Sequence, residues 1–117
     1  MITCLAIDDD PIFLKTLEMY LEEFDSMKLL GTYTNPIEGV MAVVKTKPDV
    51  LLLDLEMPYL HGVETLQSLD NLPKIIVISG HPCPEVKGVR MDHFIDKQQL
   101  VKNPTMLEQA IHRLTAS

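Results

Sequence analysis

Short apolar runs alternate along this chain with segments whose apolar residues recur at helical spacing. Ile2 to Ile7 is a compact apolar run that ends in Asp8, Asp9 and Asp10, the pattern of a buried strand. Asp10-Pro11 then reads as a helix start. The Asp side chain can accept from free backbone N–H groups, and Pro at the first helical position gives up no needed donor. Phe13, Leu17, Tyr20, Leu21 and Phe24 follow on one helical face, with Lys15, Glu18, Glu22 and Glu23 off it. Met27 to Tyr33 predicts a second strand. Asn35-Pro36 repeats the start signal, with Glu38 at the capping-box position and Ile37, Val40, Met41 and Val44 as the expected inner face. Val50 to Leu53 predicts a third strand that ends at Asp54. A short helix is expected from Gly62 to about Leu69, a fourth strand over Lys74 to Ser79, and a short fifth over His93 to Ile95. Asn103-Pro104 opens the last helix, with Leu107, Ala110, Ile111 and Leu114 turned inward.

Strands apolar on both sides imply a parallel sheet covered by helices. Their alternation with helices implies right-handed crossovers in a three-layer α/β domain. The length of 117 residues is that of one domain, here 1–117. Hydrophobic residues make up 46%, enough to build a core. Ten Lys and Arg against 17 Asp and Glu give a net charge of −7, which argues against a nucleic-acid contact that needs a basic face. The longest apolar run, Val40 to Val44, is far too short to cross a bilayer, and the first residues lack the basic start of a signal peptide. Cys4 and Cys83 match no zinc spacing and suit a reducing cytoplasm.

Chemistry in such sheets sits beyond the carboxyl ends of the strands. Those ends carry Asp8-Asp9-Asp10, Asp54, Ser79-Gly80 and Asp96-Lys97. If the strands are neighbours, several carboxylates, a hydroxyl and an ammonium converge. Clustered carboxylates repel unless a cation intervenes, and an oxygen-lined cluster of this kind suits Mg²⁺. A carboxylate beside Mg²⁺ can attack phosphorus, and Lys97 would neutralise charge on the transferring group. The set is coherent for phosphoryl transfer.

With these residues in order, the chain resembles the receiver domain of bacterial two-component response regulators. The resemblance rests on Leu5-Ala6-Ile7-Asp8-Asp9, on the run Asp49 to Pro58 around Asp54 with Gly62 beyond it, on Ser79-Gly80 and on Phe94-Ile95-Asp96-Lys97. It covers essentially the whole chain. It implies a flavodoxin-like, doubly wound fold of five parallel strands, (βα)5, with helices on both faces. It implies Asp54 as phosphoacceptor and a Mg²⁺ site formed by Asp8, Asp9, Asp54 and the backbone carbonyl of Glu56. Lys97 would pair with Asp54 and then with the phosphate. Ser79 would move towards the phosphate, and Phe94 would change rotamer with it. The implied donor is a sensor histidine kinase or phosphotransfer protein, and the implied target is a downstream protein or an output domain, with homodimerisation an option. The segment Cys4 to Asp9 and Asn35-Pro36 most resemble receivers attached to LytTR-type DNA-binding domains.

Two departures from the family pattern stand out. Gln98 follows the lysine where the family usually has Pro, so the following loop is expected to take its own shape. The interval from Ser79 to Lys97 is short and contains Pro82 and Pro84, so a fourth helix there is expected to be short or irregular. Glu56 and His81 occupy positions that in receivers flank the path of the attacking water. Two competing functions remain at this stage. One is a receiver-like interaction module that works without phosphate. The other is a small phosphatase using Asp8 and Asp10, which such enzymes usually combine with a cap domain that this length excludes.

Overall fold

The computed structural model describes residues 1–54, 72–80 and 91–116. The expected Gly62 to Leu69 helix, the fourth-helix segment, Glu56, His61, His81 and Cys83 lie outside them. Five strands, β1 (Ile2–Ile7), β2 (Met27–Tyr33), β3 (Val50–Leu53), β4 (Lys74–Ser79) and β5 (His93–Asp96), form one sheet. Its order is β2-β1-β3-β4-β5 and every pairing is parallel. Four helices are described: α1 (Pro11–Glu23), α2 (Pro36–Thr46), α3 (Lys97–Lys102) and α4 (Thr105–Thr115).

The two-residue period of a strand sends alternate side chains to opposite faces. Cys4, Ala6, Val50, Leu52, Ile76, Ile78 and Ile95 join one core with Leu17 and Leu21 of α1, Leu100 of α3 and Ile111 of α4. Leu5, Ile7, Leu51, Leu53, Ile75 and Val77 join the other with Val40 and Val43 of α2. This division explains why the central strands read as unbroken apolar runs. It also buries the Cys4 thiol completely, and burial, with a smaller contribution from the charge of Asp49, pushes its pKa up to about 12. The thiol is therefore protonated and unreactive at neutral pH.

At the amino ends of the strands, side chains stitch the backbone. Asp49 accepts from the Thr3 N–H at 2.9 Å and from its hydroxyl at 3.1 Å, and the Thr3 hydroxyl accepts from Asp49 N–H at 3.0 Å. Asp92 accepts from the Ile75 N–H at 2.8 Å. The predicted helix starts hold: Asp10 accepts from Ile12 N–H at 3.0 Å, and Asn35 accepts from Ile37 N–H and Glu38 N–H at 2.8 and 3.2 Å.

Three expectations are corrected. In α2, Val40 is buried as expected, but Ile37, Met41 and Val44 are 56, 66 and 48% exposed. The helix turns Pro36, Gly39, Ala42 and Val43 to the sheet instead. Gly39 is the reason: a Cβ built there would lie 2.6 Å from Ile7 Cγ1, so the helix sits closer to β1 than a larger residue permits. In α4, Leu114 packs partly buried against the α1-side core as expected, but the helix starts at Thr105 with no side-chain cap. After Lys97 the chain forms the helix α3 rather than a loop.

Two stability predictions follow from these contacts. Gly39→Ala gains about 1 kcal/mol of helix propensity but forces overpacking that costs about 1–3 kcal/mol. The urea midpoint of this variant is expected to fall, and an unchanged or higher midpoint would show that Ile7 yields freely. His93, at the start of β5, accepts from Arg113 of α4 at 2.8 Å. Burial first, and the Arg113 charge second, hold its pKa below 6.5. Between that lowered value and 6.5 the unfolded chain binds the additional proton, so His93 adds stability that is present above 6.5 and lost as pH falls through the window. Urea midpoints between about pH 7 and about pH 5.5 should fall more for wild type than for His93→Gln.

Candidate functional site at the carboxyl ends of the strands

Register brings the acids together. Ile7 of β1 pairs with Leu53 of β3, so the residues that follow them, Asp8 and Asp54, leave the sheet side by side. Asp54 N–H donates to the Ile7 carbonyl at 3.0 Å, and Asp8 N–H donates to the Tyr33 carbonyl at 3.0 Å. Both backbones are thus held by the extended ladder, and both side chains are almost fully buried, at 2% and 3% exposure. Asp9 is exposed at the rim. One carboxylate oxygen from each of Asp8, Asp9 and Asp54 lies within 4.8 Å of the others.

Among the described residues, Lys97 answers this charge. Lys97 Nζ lies 2.9 Å from Asp8 Oδ2 and 3.5 Å from Asp54 Oδ2. The other oxygen of Asp8 accepts from Asp10 N–H at 2.8 Å, which fixes the plane of its carboxylate. The ammonium also stands 4.5 Å from the centre of the Phe13 ring, an attractive placement of a cation over an aromatic face. Burial alone would push the lysine pKa down. The hydrogen bond to Asp8 and the charges of Asp54 and Asp8 more than reverse this, so it lies above 10.5. Among the described residues, three carboxylates and one ammonium meet at this site, an oxygen donor set that suits a divalent cation.

The remaining expected residues are distributed around this centre. Ser79 is fully buried at the end of β4 and pairs with Asp96 of β5. Phe94 is half-buried and packs against the α2-side core. Asp8, Asp9, Asp54 and Lys97 are therefore brought together as expected, while the carbonyl of Glu56 lies outside the described residues. Two contributors escaped the sequence reading. Phe13 was assigned only to the α1 core face, a pattern it also satisfies. Asp96 ends a strand in the sequence pattern, yet it caps α3; an Asp directly before Lys-Gln-Gln-Leu is the available signal.

The sheet order reverses between β1 and β3, where doubly wound domains place their ligands. Fold and site together define a doubly wound α/β domain with an acidic, lysine-bridged pocket at its switch point. Residues 4–111 match the response regulator receiver domain family, and the chain belongs to that family. It is thus a receiver domain of response regulators, the phosphoacceptor module of two-component signalling.

The transcriptional regulatory protein BtsR of Escherichia coli (strain K12) is 32% identical over 116 residues, covering 97% of this chain and 48% of BtsR. An uncharacterized response regulatory protein of Vibrio vulnificus is 28% identical over 117 residues, covering 98% of this chain and 48% of that protein. The chain spans about half the length of the curated relatives it matches. The fold is shared with the response regulator domain of Thermotoga maritima CheB, at a TM-score of 0.77 and 23% identity, covering 100% of this chain and 98% of that one. It is also shared with RcsB from Salmonella enterica serovar Typhimurium, solved bound to promoter rprA, at 0.80 and 22%, covering 97% and 61%. No helix among the described residues is long and apolar enough to cross a membrane.

The lysine predicts an alkaline effect. With its pKa raised in the fold, Lys97 contributes stability that is fully present below 10.5 and lost as pH rises through the higher folded value. Wild type should therefore lose stability above 10.5 more steeply than Lys97→Met, measured by urea midpoints across that range. Parallel profiles for the two proteins would remove the ion pairs from this account.

Proposed function

We propose that Asp54 accepts a phosphoryl group from a phosphohistidine of a sensor histidine kinase or phosphotransfer protein. A carboxylate oxygen of Asp54 attacks phosphorus and forms a P–O bond. The P–N bond breaks, and its electron pair stays on the imidazole, which then takes up a proton. The observation that carries this reading is the lysine bridge between two buried carboxylates, with a third at the rim. Bridging holds the Asp54 carboxylate in place, and the same ammonium is within reach of an oxygen added to it.

Asp8, Asp9 and Asp54, with the backbone carbonyl of Glu56, would hold Mg²⁺. The oxygen-only donor set and the net charge of the cluster support that choice over softer metals. When bound, the ion supplies neutralisation of the phosphoryl oxygens. The chain's own residues do the rest. Lys97 shifts its hydrogen bonds towards the new phosphoryl oxygens, and Ser79 donates its hydroxyl to one of them. The vacated space beside β4 lets Phe94 change rotamer, which transmits the event to the surface. The protein acts as a switch without turnover on a separate substrate.

In this reading residues 1–117 are one receiver unit in the cytoplasm. It regulates a downstream protein or an attached output domain, as a monomer or a homodimer, and makes no direct contact with nucleic acid or membrane. The acidic balance of the chain supports the last point.

Intact mass after acetyl phosphate treatment tests the assignment. Wild type with Mg²⁺ is expected to gain one phosphoryl group, and Asp54→Asn, or wild type with a chelator, is expected to gain none. If wild type takes up no phosphate from acetyl phosphate or from a panel of kinases, the protein is instead an interaction module independent of phosphate.

A further inference from the structure

The lysine that bridges the acids is the first residue of a helix, and that helix has one builder. Asp96 closes β5 in extended conformation, with φ −76° and ψ 130°. Its Oδ1 accepts from Gln98 N–H at 2.7 Å and from Gln99 N–H at 3.3 Å. These bonds satisfy two of the backbone donors that open a helix, so the strand ends and α3 begins between Asp96 and Lys97. Gln98 matters here because it has an N–H to give, which a proline in its place lacks. At the other side, Leu100 is fully buried in the α1-side core, and Asn103 N–H closes the last turn on the Gln99 and Leu100 carbonyls. The helix is short and has one apolar anchor, so propensity alone does not hold it.

Helical backbone at Lys97 sets the direction in which its side chain leaves. That direction carries Nζ over the Phe13 ring to Asp8 and Asp54. We propose that Asp96 is a positioning residue for the phosphoryl-transfer site. By capping α3 it holds Lys97 at the acidic pocket, and without the cap the ammonium spends less time between Asp8 and Asp54. The inference rests on the reading of Asp54 as phosphoacceptor.

Losing the cap should act on two quantities in opposite senses. Phosphorylation needs the ammonium in place, so its rate falls. Cation binding competes with the ammonium for the same carboxylates, so Mg²⁺ affinity stays equal or rises. Loss of fold at the pocket would lower both. The experiment compares wild type, Asp96→Ala and Asp96→Asn. The last keeps an oxygen acceptor and caps as well as Asp does. Rates of phosphate uptake from acetyl phosphate are read by intact mass, and Mg²⁺ affinity is read separately by calorimetry without phosphodonor. Asp96→Ala is expected to phosphorylate roughly three- to tenfold more slowly, with Mg²⁺ bound no more weakly, and Asp96→Asn is expected to match wild type in both.

The proposal fails if Asp96→Ala keeps the wild-type rate. It also fails if Asp96→Asn is as slow as Asp96→Ala, or if slow uptake comes with weakened Mg²⁺ binding. Should Asp96→Ala not fold by circular dichroism, Asp96→Val takes its place. It suits the end of a strand but offers the helix no acceptor, and a wild-type rate in that variant overturns the inference. A wild type that takes up no phosphate would count against the phosphoacceptor reading. The Mg²⁺ comparison would still test whether the cap places the lysine, because weakened cation binding in Asp96→Ala would mark a loosened pocket and overturn the inference, whereas equal or tighter binding supports it.

Discussion

Two carboxylates buried side by side need a cation, and the arrangement of this domain's functional end follows from that need. Parallel pairing of β1 with β3 leaves no choice about where Asp8 and Asp54 emerge, since their backbones continue the ladder. Repulsion at such a distance, away from water, would open the pocket if nothing answered it. Lys97 answers it from the far edge of the sheet, two strands away from β3. The ion pair therefore ties together the centre and the edge of one layer. Any added anion that draws the ammonium elsewhere must loosen that tie, and under the proposed function this would couple phosphorylation of Asp54 to the β4–β5 side.

Much of this was legible before any coordinates. The strands were readable because a sheet covered on both faces leaves no polar alternation to confuse their limits, and β1 to β4 fall where the apolar runs do. Asp8, Asp9 and Asp54 were readable because, in parallel strands, the residue after each apolar run lands at the same end. The inner face of α2 was not readable from periodicity. Ile37, Met41 and Val44 obey helical spacing, but the close approach at Gly39 selects a narrower row of small side chains. Helix α3 was hidden because Leu100 is its single buried residue, too little to register as a period. Lys97 was readable as a cation at the end of the fifth strand, but its pairing with Asp54 came from the family resemblance, since no local pattern distinguishes a bridging lysine from a surface one. Phe13 shows a related limit: an aromatic that serves a core and a cation at once looks like a core residue.

The site also shows how a short segment gains definition from its ends. α3 has fewer than two full turns, and nothing in Lys-Gln-Gln-Leu-Val-Lys compels a helix. Asp96 and Leu100 supply what composition does not, one by capping and one by burial. Precision at the ammonium is thus inherited from the β5 ladder on one side and from the α1-side core on the other.

The hydrogen bonds at the amino ends of the strands have a consequence of another kind. Asp49 with Thr3 and Asp92 with Ile75 join neighbouring strands through side chains that take no part in the acidic pocket. The sheet therefore has a sewn pole and a charged pole, sharing strands but not side chains. Substitutions that retune charge, metal preference or partner fit at one pole leave the stitching of the other untouched. A lineage can diversify its signalling partners at the charged pole while the sewn pole keeps each new variant folded.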